Sequence, residues 1–133
     1  MTTSIPKVIE LEFARLELYA DYVVSTIAEG TVIGLDHIQE FYRIFDKFYS
    51  HRPFGYISNR IHDYTVDPTC YLQEYQYPQL IGIAVWSHSE ATYKNARFEK
   101  TFYKRPFDVF YNLEDCKNWV LNGISDYKEK AGL

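Results

Sequence analysis

In the stretch "RPFGYISNRIHDYTVDPTCY", residues 52–71, a short apolar run from Phe54 to Ser58 gives way to Asn59, Arg60, His62, Asp63, Tyr64, Thr65, Asp67 and Thr69. The chemistry such a run offers is anion or partner recognition. Arg60 carries a planar fork that can hold a carboxylate or phosphate through two parallel bonds. Ligands of open α/β sheets bind beyond the carboxyl ends of strands. If Phe54 to Ser58 and Leu80 to Trp86 are neighbouring parallel strands, then Ser58, Asn59, Arg60 and His88 converge on one crevice. The plainer alternative is a surface loop whose Asn, Asp and Thr side chains bond their own backbone. A division of labour is expected within the run. Asp63, Thr65 and Asp67 should hold the turn, whereas Arg60, His62 and Tyr64 should point outward for recognition, assisted by Tyr71 and Tyr75 one helical turn apart.

Catalysis fits the same residues less well. Cys70 with His62 and Asp63, or Ser87 with His88, place nucleophile and base too near in sequence to face each other, and no glycine elbow presents a nucleophile. The segment "EGTVIG" contains neither GxxxxGK nor GxGxxG, so no phosphate-cradling loop is expected. The histidines His37, His51, His62 and His88 lack partners at zinc-ligand spacing. No enzyme, no metal and no cofactor are expected.

Composition narrows the partners. The chain has 133 residues, 47% of them hydrophobic, with 18 acidic against 14 basic residues and a net charge of −4. That length suits one domain, and that charge gives no overall attraction for a nucleic-acid backbone. Five basic residues, Lys94, Arg97, Lys100, Lys104 and Arg105, cluster in "YKNARFEKTFYKR". They read as the solvated face of a helix, paired with Glu90 or Glu99, or as a surface for an acidic partner or phospholipid headgroups. No apolar run approaches the length of about 18 residues that a membrane span needs, and the start lacks a signal-like pattern. The two cysteines, Cys70 and Cys116, read as reduced thiols, so a soluble, cytoplasmic protein is the expectation. The 13 Tyr, 9 Phe and 2 Trp exceed what one small core usually holds. Some of those rings should line a groove or interface.

The elements that must position these residues follow from periodicity. Residues 8–28 read as three short antiparallel strands joined near Ala14 and Ala20-Asp21. Asp36 with Gln39 resembles a capping box opening a helix over 36–50, in which Ile38, Phe41, Tyr42, Phe45, Phe48 and Tyr49 share one face. Phe54 to Ser58 and Leu80 to Trp86 suit strands buried on both faces. Gly55 is expected to abut the Phe41/Phe45/Phe48 face, because a glycine within a strand often marks close approach. Asp67 and Pro68 can open a short helix. Ser89 begins another through Tyr103 with Ala91, Phe98 and Phe102 inward. Phe107 to Tyr111 returns as a strand, and Asn112 caps a last helix carrying Leu113, Cys116, Val120 and Ile124. The fold class is α/β, a mixed sheet of about five to six strands with antiparallel N-terminal strands and helices packed against it.

This order of elements, with "RPFGYISNRIHDYTVDP", the "AVW" strand before its helix, and the closing "PFDVFYNLEDCKNWV", resembles the small bacterial proteins of the STAS / SpoIIAA-like superfamily. That superfamily shares its fold with lipid-binding CRAL-TRIO (Sec14-type) modules. The resemblance spans residues 7–124, and implies one STAS-like domain over 1–133 with a C-terminal tail at 125–133. The best-known members are antagonists of anti-sigma factors, switched by phosphorylation in an Asp-Ser-Ser-Gly-like turn. Here Asp67-Pro68-Thr69-Cys70 stands in that place, with Thr69 the nearest equivalent and no following glycine. A phosphate on Thr69 would sit at a helix N-terminus; otherwise Asp67 and Thr69 simply cap. The function expected from the resemblance is a non-enzymatic regulatory or protein-interaction module. The alternative is a small-molecule or lipid-binding module with its pocket at the carboxyl ends of the strands. An apolar, enclosed pocket beside Arg60 would favour that alternative, and a flat aromatic patch without a cavity the former.

Overall fold

The computed structural model describes residues 5–50, 52–67, 70 and 77–132. Three strands open the chain, β1 (Lys7–Glu10), β2 (Ala14–Leu18) and β3 (Tyr22–Ile27), and pair antiparallel in sequence order. Alternation drives them: Ala14, Leu16 and Leu18 are buried while Arg15 is exposed. After a two-residue strand β4 (Val32–Ile33) comes helix α1 (Leu35–Tyr49). Next follow β5 (Phe54–Arg60), a second two-residue strand β6 (Thr65–Val66), β7 (Leu80–Ser87), helix α2 (Glu90–Glu99), β8 (Phe107–Phe110) and helix α3 (Leu113–Lys130). The six long strands form one mixed sheet in the order β1-β2-β3-β5-β7-β8, parallel from β3 onward, and β4 pairs β6 in a separate parallel ribbon. The expected mixed α/β sheet with antiparallel N-terminal strands is the observed one. The β4–β6 ribbon was not anticipated, since two residues carry no periodicity.

The sheet has two covered faces. On one, α1 sets Phe41, Phe45 and Tyr49 against Leu16, Leu18, Val23 and Phe54. Tyr49 and Phe54 stack at 4.1 Å between centroids, and the buried Tyr49 hydroxyl donates to the Tyr19 carbonyl at 2.8 Å. The same face carries α2, through Ala96 and Tyr93 against Val85, Phe107 and Val109. On the other, α3 buries Cys116, Val120 and Ile124 over Val24, Ile57, Ile81 and Ala84.

Several boundaries and caps differ from the sequence expectations. Helix α1 opens at Gly34, whose N–H donates to the His37 ring Nδ1 at 3.0 Å, so the Asp36/Gln39 box is not the cap. Helix α2 ends at Glu99, which leaves Lys104 off the helix. It turns Ala96 inward while Ala91 and Phe98 face solvent. Helix α3 starts as expected, with the Asn112 side chain accepting from the Asp115 N–H at 2.8 Å, but residues 125–130 continue the helix and form no tail. Gly55 lies under α3 and not under α1, because Phe54 and Tyr56 occupy the α1 face and strand neighbours alternate. A Cβ on Gly55 would stand 2.2 Å from Val120 Cγ1.

Candidate functional site

Strand β5 decides where the polar run goes. It continues two residues beyond Ser58, with Asn59 opposite Trp86 and Arg60 opposite Ser87 on β7. The two loops beyond these strands therefore lie side by side, as expected. The period of two then sends Asn59 to the α3 face, and Ser58 and Arg60 to the α1/α2 face. The single crevice expected from Ser58, Asn59, Arg60 and His88 is in fact divided by the sheet.

On the α3 side, Asn59 Oδ1 meets His88 Nε2 at 2.7 Å, and the Asn59 amide donates to Thr26 Oγ1 at 3.2 Å. His88 packs on Trp86 with centroids 4.7 Å apart. This is an exposed polar cluster.

On the opposite side Arg60 and Tyr64 point inward, contrary to the outward direction expected of both. Arg60 binds Glu99 with both terminal nitrogens, Nη1 to Oε2 and Nη2 to Oε1, the second at 2.9 Å. The two side chains are only 8% and 14% exposed. Arg60 Nε also donates to Ser58 Oγ at 3.2 Å, and Ser58 Oγ shares a hydrogen bond of 2.7 Å with the Tyr64 hydroxyl. The guanidinium carbon stands 5.1 Å from the Tyr64 ring centroid, a cation–π distance. Burial raises the pKa of the Tyr64 phenol, with the positive charge of Arg60 acting the other way. The Tyr56 phenol is likewise raised by burial and, less, by Tyr64.

This polar group closes one end of a cavity of about 90 Å³. Ile27, Ile33, Ile38, Phe41, Phe45 and Ile83 supply apolar walls, and Tyr42, Tyr56, Tyr77 and Tyr103 add rings. The excess of tyrosine noted in the composition is partly spent here. The volume approaches that of a single-ring molecule. Ser58 helps to leave it open, a small buried residue lining the cavity where a larger apolar one would fill the core.

The remaining candidates scatter. His62 is half exposed, with Nδ1 3.9 Å from Glu29 Oε1. At Asp63 and Thr65 the bonds are main-chain ones, the Asp63 carbonyl accepting from the Gly30 N–H at 2.7 Å and the Thr65 N–H donating to the Thr31 carbonyl at 2.9 Å as β6 pairs β4. The Asp67 N–H donates to the Ile33 carbonyl at 3.0 Å. Thr69, Tyr71 and Tyr75, and the short helix expected after Asp67, lie outside the described residues. In the basic cluster Lys94 pairs with Glu90, Arg97 and Lys100 approach Asp108, and Arg105 donates to the Tyr77 carbonyl. Glu99, expected to pair within that cluster, serves Arg60 instead. No group of three or more metal-ligating side chains occurs among the described residues, and none of their helices is long and apolar enough to cross a membrane.

Sequence reading missed the role of Glu99 and the cavity walls. Ser58 was the available signal, as a small polar residue inside an otherwise apolar strand.

No protein-family model matches the sequence, and no curated protein matches it. Among solved structures the fold is similar to the crystal structure of an uncharacterized protein from the DUF3478 family, with a SpoIIAA-like fold, from Shewanella loihica PV-4. The TM-score is 0.54 at 11% sequence identity, over 90% of this chain and 98% of that one. The fold is thus SpoIIAA-like, in agreement with the sequence resemblance. An identity that low carries the fold and no activity.

Proposed function

We propose that the protein is a non-catalytic binding module whose cavity, between the parallel strands and α1, takes a small and largely apolar molecule. The observation that carries this reading is the aromatic and aliphatic cavity ending in the buried Ser58–Arg60–Tyr64–Glu99 group. Ligand sites are typically apolar concavities with a few convergent polar groups. Of the two functions expected from the sequence, a concave, largely apolar pocket beside Arg60 supports the ligand-binding one. A regulatory or protein-interaction role rests on the fold alone, which hosts unrelated functions. Binding is preferred to catalysis because the groups at the polar end engage one another: the Glu99 carboxylate holds Arg60, and the Ser58 hydroxyl faces a phenol, a poor general base. Free thiols at Cys70 and Cys116 suit a reducing compartment such as the cytoplasm.

The test is a titration of isoleucine-methyl-labelled protein with three single-ring probes, toluene, benzyl alcohol and benzoate, followed by NMR. At least one probe should shift the methyls of Ile27, Ile33, Ile38 and Ile83 saturably, while Ile81 and Ile124, packed between α3 and the other face of the sheet, stay in place. If no probe moves the first group, the cavity is not a ligand site.

A further inference from the structure

Resting on that reading, the geometry points to a ligand class: an uncharged molecule with an apolar, ring-sized body and one hydrogen-bond acceptor, a hydroxyl or carbonyl, directed at Ser58 and Tyr64. The inference comes from charge and from a count of donors.

The only cationic side chain lining the cavity among the described residues is Arg60, and its two terminal nitrogens are bound to the Glu99 carboxylate. The pair is balanced in place. An anionic ligand would have to displace Glu99 from Arg60 at a site where the Glu99 side chain is 14% exposed, or else enter beside that carboxylate as a second negative charge. Both routes set two negative charges against one guanidinium where solvation is poor, a costly arrangement in a protein interior. A cation meets the corresponding difficulty at the guanidinium. Uncharged ligands meet neither.

The hydroxyls supply the specificity. Ser58 and Tyr64 each own one O–H proton, and their mutual bond at 2.7 Å uses one of the two, whichever donates. Arg60 Nε donates to Ser58 Oγ at 3.2 Å, which occupies an acceptor site and no proton. One O–H donor therefore remains at the polar end of the cavity in either arrangement. A ligand oxygen can accept it, and the balanced ion pair is left undisturbed. A purely apolar ligand would displace water from that donor and offer nothing in return.

The three probes share a phenyl ring bearing one carbon and differ only in the oxygens on that carbon, so their ranking separates the possibilities. Benzyl alcohol should bind several-fold tighter than toluene, the scale of one net hydrogen bond, and about tenfold or more tighter than benzoate. In Glu99→Gln the guanidinium loses its counter-charge, and the affinity ratio of benzoate to benzyl alcohol should rise by about tenfold or more. Benzoate binding best to the unaltered protein, or toluene matching benzyl alcohol, overturns the inference and leaves the binding-module reading standing. An unchanged ratio in Glu99→Gln overturns the role given to the ion pair. Should Glu99→Gln fail to fold, the ranking on the unaltered protein decides. Failure of all three probes is the separate outcome that removes the cavity reading itself, and the ligand class with it.

Discussion

The Arg60 guanidinium grips the Glu99 carboxylate with both terminal nitrogens, tying the end of β5 to the last residue of α2. Breaking a buried pair by removing one partner leaves the other charge stranded. Arg60→Ala should therefore lose about 3–5 kcal/mol of stability, where the sequence alone had suggested an outward-pointing recognition residue. Arg60→Met combined with Glu99→Leu should lose much less, because no charge is left behind. Urea unfolding of the three proteins checks this. Equal losses in the single and double variants would show that packing, not charge, dominates.

Gly55 predicts a steric limit. Its missing side chain lets α3 seat on the sheet, with Val120 Cγ1 occupying the space a Cβ would need. At its partner in register, Gly82, an added Cβ would stand 2.9 Å from the Trp119 ring. Gly55→Ala should cost about 1–3 kcal/mol by overpacking, and the further substitution Val120→Ala should recover part of that loss. A Gly55→Ala protein that melts unchanged contradicts the close seating.

Alkaline pH should weaken the fold. Burial raises the phenol pKa of Tyr49, Tyr56, Tyr64, Tyr77 and Tyr103 above the ordinary value, and pushes the Cys116 thiol up to about 12. These groups are neutral in both folded and unfolded chains at pH 7. Once pH exceeds the unfolded values, about 8.5 for the thiol and about 10 for phenols, the unfolded chain releases protons that the folded one still holds. Stability then falls with rising pH, by about 1.4 kcal/mol per pH unit for each such group until its folded pKa is reached. The urea midpoint should be level with respect to these groups through neutral pH and drop above about pH 9. A midpoint that rises there has the wrong sign for buried neutral phenols.

The thiols should differ in reactivity. Cys116 is fully buried on the inner face of α3, with its thiol contacting the Val85 carbonyl at 3.7 Å, while Cys70 is half-buried and lines the cavity. Only the thiolate reacts. Iodoacetamide on the native protein should therefore label Cys70 first, as read by mass spectrometry of the digest, and label Cys116 only on unfolding.

Where a feature was local, the sequence carried it. The aromatic face of α1, the Asn112 cap and the apolar runs that form β5 and β7 rest on spacing within one element. The direction of Arg60 was less accessible because a polar Asn-Arg pair looks like loop, and only pairing with both β3 and β7 keeps Asn59 in a strand. With the strand ended at Ser58, the alternation that turns Arg60 inward could not be applied. The same parity misplaced Gly55 on the α1 face. Glu99 lay further from view, since its partner is 39 positions away and its neighbours in sequence are the lysines and arginine of the basic cluster.

The cavity also bears on the order of folding. Its walls come from β3, the β4–β6 ribbon, α1, β5, β7 and the segment after α2, so none of its volume exists until segments distant in sequence have met. A ligand can grip only what is already assembled. If these last contacts are absent from the folding transition state, a bound molecule leaves the rate of folding nearly untouched and slows the rate of unfolding. The occupant then acts as a latch, set after the chain has closed.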